Sequence, residues 1–348
     1  MSPTSTPSRS YRWAAILIII ALGYVVITYA KPILMPLVVA AVLSVILLPI
    51  VKTLERWKFP RLLAISLILT VLVLLIPLIG YLLFQQSAAI AEDLPELSTR
   101  FSAWYQHLVS YLDQTWGIDT TQQAAYIQSG IDRLLSGSGT FIQSTIDATT
   151  SLLGYIALIP IYMFLMLLNR ERFTGFLLHL NHTSKEENVV QVINQVQAVL
   201  QNYVAGLALV IGIMAVLNVS GLLLLGIPYA VFFGLIAAFM TIIPYVGVLI
   251  GAIPPILVAL LMTDSLFYPI GVIILFVMVQ SLEGNVITPK IVGDKVSINP
   301  LAAMVALVIG GFVWGAIGMI LSIPLTGVLK VILKSMKGGQ AWADVLGT

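Results

Sequence analysis

The sequence predicts an all-α integral membrane protein of about eight transmembrane helices, with at least one re-entrant or discontinuous helix and a helical extracytoplasmic hairpin. Three observations predict it. Along the 348 residues, apolar blocks follow one another that are each about as long as a helix needs to cross roughly 30 Å of hydrocarbon. Charge is swept into short segments between them: no Lys, Arg, Asp or Glu lies between Glu187 and Asp264, or between Lys295 and Lys330. The blocks also lack the alternation of barrel strands, so their backbone must satisfy its hydrogen bonds within helices.

With 59% hydrophobic and 9% charged residues, the chain has room for several spans and little for a separate soluble domain. One polytopic membrane domain over 1–348 is expected. A net charge of +2, carried by dispersed basic residues, is too mild for a nucleic-acid partner. The absence of cysteine removes disulfides, thiolate nucleophiles and Cys-ligated metals. There is no H-E-x-x-H, G-x-S-x-G, Walker loop or G-x-G-x-x-G, so neither an enzyme nor a cofactor or metal site is expected. His179 and His182 stand one turn apart, but no third ligand type clusters with them, and they read as a surface pair.

The first block, Trp13 to Ala30, follows Arg9 and Arg12 as a signal peptide would. Its apolar run is too long, and it passes straight into Pro32 to Val51 without a small-residue cleavage site, so it reads as a retained span. Lys52, Arg56, Lys58 and Arg61 cluster after the second block, which places that loop and the N-terminus in the cytoplasm. After the third block, Leu62 to Phe84, the segment 85–150 falls outside and carries mostly acidic charge. Leu94, Leu97, Phe101, Trp104, Leu108 and Tyr111 in it follow the a/d spacing of a short coiled coil. Asp119 with Gln122 resembles a capping box opening a second helix through Ile127, Ile131 and Leu134. A projecting hairpin follows, its seam filled within the chain or between subunits.

Ser151 to Leu168 returns to the cytoplasm at Arg170, Arg172 and Lys185. The segment 169–202 places Val189, Val192, Ile193, Val196, Val199 and Leu200 on one face, an amphipathic helix that could lie on the bilayer or dock on the spans. Tyr203 to Leu225, Tyr229 to Ile243, Tyr245 to Met262, Leu266 to Leu282 and Pro300 to Leu329 follow. Lys330, Lys334 and Lys337 argue for an inside C-terminus and so for an even number of crossings, yet about nine blocks are present. Tyr229 to Ile243 is too short for a plain span, and Pro228, Pro244, Pro254 and Pro255 punctuate its surroundings, so it is the candidate re-entrant element. A hairpin inside Pro300 to Leu333, broken at Pro324, is the alternative.

Ionisable groups at membrane depth cost about 2.5 to 3.5 kcal/mol on insertion scales and call for a reason. Glu283 closes the block Leu266 to Leu282 one turn after Gln280 and next to Asn285, with Thr288, Pro289 and Lys290 following. It either serves a pathway or sits at the interface, capped or paired with Lys290. Asn218, mid-block, is suited to an interhelical hydrogen bond or to solute contact. Gly247 and Gly251, like Gly311 and Gly315, are spaced for close helix contact.

These residues resemble the autoinducer-2 exporter family of bacterial membrane proteins over about Tyr11 to Leu333. Leu225-Gly226-Ile227-Pro228-Tyr229 and Ile243-Pro244-Tyr245-Val246-Gly247 are similar to its paired Gly-Pro elements. Gln280 through Glu283, Pro289-Lys290-Ile291-Val292-Gly293 and Asn299-Pro300-Leu301 are similar to its signature loop, and Gly310-Gly311, Gly315, Gly318-Met319 and Pro324-Leu325 to its closing helix. Asn299 stands where a His often precedes the Pro-Leu pair, and Leu207 where a Gln is common. The resemblance implies a multi-spanning, oligomeric carrier of small polar molecules, some relatives being suggested sodium/proton antiporters.

The expected function is secondary transport across the bacterial inner membrane, exporting a small polar metabolite or signalling molecule such as autoinducer-2. Glu283, Gln280, Asn285 and Asn218 are the pathway candidates. Pro228, Pro244, Gly247, Pro254 and Pro289 shape the helix breaks. The rivals are a sodium/proton antiporter using Glu283 and a non-transporting scaffold working through the external helices. Expected partners are a small polar solute or a cation, membrane lipid and further copies of the chain.

Overall fold

The computed structural model describes residues 18, 22–23, 25–116, 157–180, 186–243, 246–263, 265–293, 298–336 and 338–347, and among these every regular element is helical. Eleven are named here in chain order: α1 (Lys31–Arg56), α2 (Arg61–Trp116), α3 (Ala157–Leu168), α4 (Arg170–Leu180), α5 (Glu186–Leu224), α6 (Ala230–Met240), α7 (Val246–Met262), α8 (Phe267–Leu282), α9 (Pro300–Trp314), α10 (Ala316–Ser335) and α11 (Gln340–Leu346). Two π turns, Glu283–Ile287 and Pro289–Gly293, extend α8. The chain is a multi-pass membrane protein. Among the described residues, four helices are long and apolar enough to cross a bilayer: Lys31–Arg56, Asn188–Leu224, Phe267–Ile291 and Ala316–Ser335. Shorter apolar helices lie between them, among them Ala230–Met240 and Pro300–Trp314.

The polar segments are less separate from the spans than their composition suggests. α2 carries the third block and the start of the segment 85–150 as one helix of 56 residues, about 84 Å long, so Leu94 through Tyr111 continue that helix. The second arm of the expected hairpin, Asp119 to Leu134, lies outside the described residues. The segment 169–202 is not one helix: α4 ends at Leu180, and α5 runs from Glu186 straight into the fifth block. Its apolar face docks: Leu200 and Val196 pack with Val42 and Leu321. Burying that stripe against protein stabilises more than leaving it in the headgroup layer, where half of it stays wet.

The chain divides into two compact units, and each is described by itself. The first comprises residues 1–65, 155–200 and 298–348. Within it α9 and α10 form a tight hairpin whose turn is Gly315, with φ 65° and ψ −142°, a conformation L side chains rarely adopt. The break therefore falls at Gly315 and not at Pro324, which lies buried inside α10. A side chain at Gly318 would collide with the Gly310 carbonyl, so the two helices touch backbone to backbone. Asn299 opens α9: its side-chain oxygen accepts from the Leu301 N–H at 3.0 Å, the Asn299 N–H donates to the Leu346 carbonyl of α11 at 2.7 Å, and Pro300 occupies the first turn.

The basic loop after α1 is closed by a Schellman motif, in which the Phe59 N–H donates to the Leu54 carbonyl (3.2 Å) and the Lys58 N–H to the Glu55 carbonyl (3.0 Å). Lys58 occupies the left-handed position usually given to glycine, at φ 67°, and Pro60 stops the helix from resuming. Arg61 then donates to Glu171 Oε1 (2.9 Å) and to the last carbonyls of α3 at Leu167 (3.0 Å), while Arg170 donates to Glu55 Oε2 (2.6 Å). A cation at the C-terminal end of α3 also complements the helix dipole.

The second unit comprises residues 66–154 and 201–297. Its core joins α5 to α8 through Leu222, Ile227, Phe232, Phe233, Val258, Val272 and Phe276. Lys58→Gly should raise stability by about 0.5 to 1 kcal/mol, because glycine relieves the left-handed strain at a smaller entropic cost. Thermal unfolding in detergent measures it, and an unchanged or lower midpoint would contradict the assignment.

Candidate functional site

Three departures from regular helix build the candidate site, all in the second unit. The first ends α5. Gly226, at φ 68°, donates its N–H to the Leu223 carbonyl at 2.9 Å, and Ile227 donates to Leu222 at 3.0 Å, a second Schellman motif. Leu222 and Ile227 are both buried, supplying the apolar contact this motif prefers. Pro228 follows, and Tyr229 turns left-handed at φ 57° to start α6.

The second departure separates α6 from α7. α6 has 11 residues and α7 has 17, with Pro244 outside the described residues between them. A Cβ at Gly247 would collide with the Met240 carbonyl, and one at Gly251 would sit 2.8 Å from the Ala237 Cα. Gly247, the second residue of α7, thus sits where the chain passes close to the end of α6. Pro254 is not a break: α7 runs through Pro254 and Pro255, as membrane helices tolerate where neighbours and local adjustment re-satisfy the freed carbonyls.

The third departure carries Glu283. In an α-helix, Pro289 would lack the N–H for the Asn285 carbonyl and its ring would strike it. The chain instead widens into π turns, with the Thr288 N–H bonded to the Glu283 carbonyl. Pro289 therefore widens the helix and does not end it. Residues five apart then stack, and the Thr288 hydroxyl donates to Glu283 Oε1 at 2.6 Å. Gln280, one α-turn earlier, donates its amide N–H to Oε2 at 2.6 Å. Both carboxylate oxygens are held from the carboxylate's own helix, and Lys290 is exposed.

That amide bond orients Gln280. A carboxylate accepts and an amide nitrogen donates, so the nitrogen faces Glu283 and the oxygen points elsewhere. Gln280 Oε1 is buried without a hydrogen-bond partner in the protein, as is Asn218 Oδ1. Both residues line one crevice with Met214, Ala237, Thr241, Val248, Phe276 and Val279. The crevice is nowhere wide enough to seat a water. Asn218 is 1% exposed. Thr241 donates its hydroxyl proton to the Ala238 carbonyl at 2.6 Å, which leaves the oxygen's lone pairs available.

Of the four polar residues singled out in the sequence, the structure brings Asn218 and Gln280 together, and Glu283 joins through Gln280. Asn285 stands apart: it is exposed and donates to the Ser281 carbonyl of its own helix at 2.9 Å. Sequence reasoning missed Thr241 and Thr288 as members. Thr288 was findable, because a proline one residue later raises the question of a widened turn; Thr241 carried no such signal. A wider cavity of about 370 Å³ lies in the same unit, lined by Arg100, Trp104, Thr263 and Ser265 among others. His179 uses Nδ1–H on the Gly175 carbonyl at 2.7 Å, and the described residues hold no group of three metal-ligating side chains.

Residues 15–338 match the AI-2E family transporter pattern, nearly the whole chain. The protein belongs to the AI-2E transporter family. Among its relatives are "Putative transport protein YrrI" of Bacillus subtilis, 30% identical over 87% of this chain and 86% of that one, and "AI-2 transport protein TqsA" of Escherichia coli, 27% identical over 94% and 95%. The family match covers the Schellman break at Gly226, the α6–α7 pair and the π turns alike.

Thr288→Val should cost about 1.5 to 3 kcal/mol by removing a hydrogen bond to a charged group, whereas Asn285→Ala should change stability by less than about 0.5 kcal/mol. Unfolding of the two variants in detergent compares them, and equal losses would argue against the π-turn network. Gly251→Val should destabilise by about 1 to 3 kcal/mol through overpacking against the Ala237 backbone, read in the same assay.

Proposed function

We propose that this AI-2E family member is a secondary transporter of the bacterial inner membrane that exports a small polar metabolite, a signalling molecule of the autoinducer-2 kind being the leading candidate. The observation that carries the reading is the polar group set at the end of an apolar span: Glu283, held by Gln280 and Thr288, continues into a crevice where Asn218 presents a second amide. Ionisable residues in membrane helices are expensive, and such residues mark solute or ion paths. Interrupted helices near such groups supply backbone dipoles to a solute without charge. The absence of a nucleotide-binding motif from the sequence favours a gradient or passive flux as the driving force.

TqsA is named for AI-2 transport, which supports a solute of that class here. On this reading the N-terminus is cytoplasmic, α9–α10 or α6–α7 supplies the re-entrant element, and several copies assemble, the glycine-lined faces and the external helix offering contact surfaces. Glu283→Gln should reduce flux from loaded vesicles by tenfold or more while leaving insertion and expression unchanged. Unaltered flux would remove Glu283 from the pathway.

A second reading, a sodium/proton antiporter, is favoured by the placement of a carboxylate within the span Phe267–Ile291. It ranks below the first because both Glu283 oxygens are already committed to neighbours on the same helix. Proteoliposomes carrying a pH dye inside decide it. Proton movement on sodium addition that disappears in Glu283→Gln would favour the antiporter.

A further inference from the structure

Two ion pairs gather the ends of four helices in the first unit. Arg170, at the start of α4, donates to Glu55 Oε2 near the end of α1 at 2.6 Å. Arg61, which opens α2, donates to Glu171 Oε1 at 2.9 Å and to the Leu167 carbonyl of α3 at 3.0 Å. Glu55 and Glu171 are the only carboxylates in residues 52–61 and 167–180, and both are used. Four cations are left over. Lys52, Arg56, Lys58 and Arg172 each lie within three residues of Glu55 or Arg170, and all four are exposed. None of their side chains has a hydrogen-bond or ion-pair partner among the described residues. We propose that this junction is a binding site for anionic phospholipid, taking headgroup phosphates whose charge no amine on the same lipid cancels.

The apolar side chains beside the cations select a lipid over a dissolved anion. α1 is long and apolar enough to cross a bilayer, and Lys52 and Arg56 occupy its last turns at i and i+4, on one face at the depth of the headgroups. Trp57 and Phe59 follow them, both exposed. On α4, Phe173, Phe176 and Leu177 are exposed at i, i+3 and i+4, and Arg172 stands one turn before Phe176 at the edge of that stripe. Rings of this kind settle at the boundary of a bilayer, while the longer cationic side chains beside them reach outward to phosphate. A free phosphate would engage the cations and leave the rings in water. A zwitterionic lipid would cover the rings, but its amine would oppose the cations. Four Lys or Arg beside the end of a span is also the number from which basic segments hold anionic lipid, each worth about fivefold in affinity. The inference stands on the membrane placement of α1 and is independent of what the protein transports.

The test uses the full-length protein in dodecyl maltoside micelles, titrated with dioleoylphosphatidylglycerol, dioleoylphosphatidylcholine or inorganic phosphate, with bound lipid counted by native mass spectrometry. Wild-type protein should retain phosphatidylglycerol saturably and at least tenfold more tightly than phosphatidylcholine, and millimolar inorganic phosphate should not displace it. The fourfold variant Lys52→Gln, Arg56→Gln, Lys58→Gln, Arg172→Gln should lose that preference by tenfold or more. Its unfolding midpoint in lipid-free micelles should stay that of wild type, because none of the four side chains has a partner in the protein to lose. Should the fourfold variant fail to fold, the pairs Lys52→Gln with Arg56→Gln and Lys58→Gln with Arg172→Gln carry the comparison, each losing threefold or more. Equal preference in variant and wild type overturns the site, as does the absence of saturable binding to wild type. Displacement by inorganic phosphate assigns the cations to a dissolved anion and overturns the lipid. A variant that changes the number of copies per micelle while keeping the lipid preference makes this face a contact between copies, which also overturns it.

Discussion

Everything in this molecule follows from one constraint: in hydrocarbon, a backbone N–H or C=O must find its partner inside the protein. An unpaired group there costs several kcal/mol, so regular helix is the default and each interruption needs its own repair. The repairs are visible. After α5 the freed carbonyls of Leu222 and Leu223 are taken by Ile227 and Gly226. Between α9 and α10 the Gly315 N–H returns to the Gly311 carbonyl. Beyond α8 the chain avoids a break altogether by widening, so that Pro289 is accommodated and the Glu283 carbonyl still receives an N–H.

This last repair is also what makes a site. A helix that simply stopped at Pro289 would leave Thr288 well around the axis from Glu283. Widened turns align residues five apart and give the carboxylate a second donor. The held carboxylate then dictates which end of the Gln280 amide faces it and which end faces the crevice. The polarity of the crevice is thus set by backbone geometry about two turns away, through a chain of hydrogen bonds with fixed direction.

Much of this was legible in the residues. Block length and the absence of charge specified helices in a membrane, and Gly226-Ile227-Pro228 spelled a helix end because glycine, an apolar residue and proline each have a physical duty there. Glu283 and Gln280 were paired correctly by their one-turn spacing. Proline misled where it acted inside a helix. Pro254 and Pro324 read as breaks, yet helices α7 and α10 continue through them, as helices in membranes tolerate. The true break at Gly315 needs a backbone angle that no composition or period reports. Thr241 was invisible for a different reason: its membership depends on which helices pack together, a property of the tertiary fold.

The contacts around the crevice also distinguish the wall that can move from those that cannot. At Gly234 an added Cβ would come 2.7 Å from the Val219 backbone nitrogen, at Gly251 2.8 Å from the Ala237 Cα, and at Gly247 into the Met240 carbonyl. Along these lines α5, α6 and α7 come close enough for backbone to meet backbone, with only the short side chains of Val219 and Ala237 beside the contacts. The α5–α8 contact is of another kind. There Gly221 faces the end of the Leu275 side chain, and Met214, Phe276 and Gln280 interpose flexible or rotatable groups. Packed backbones shift as a block, while side-chain interfaces yield by rotamer changes that cost far less. Were α8 to lean away from α5 the crevice would widen, and Gln280 and Glu283 would move with it. The residues that hold the carboxylate therefore lie on the wall lined by side chains.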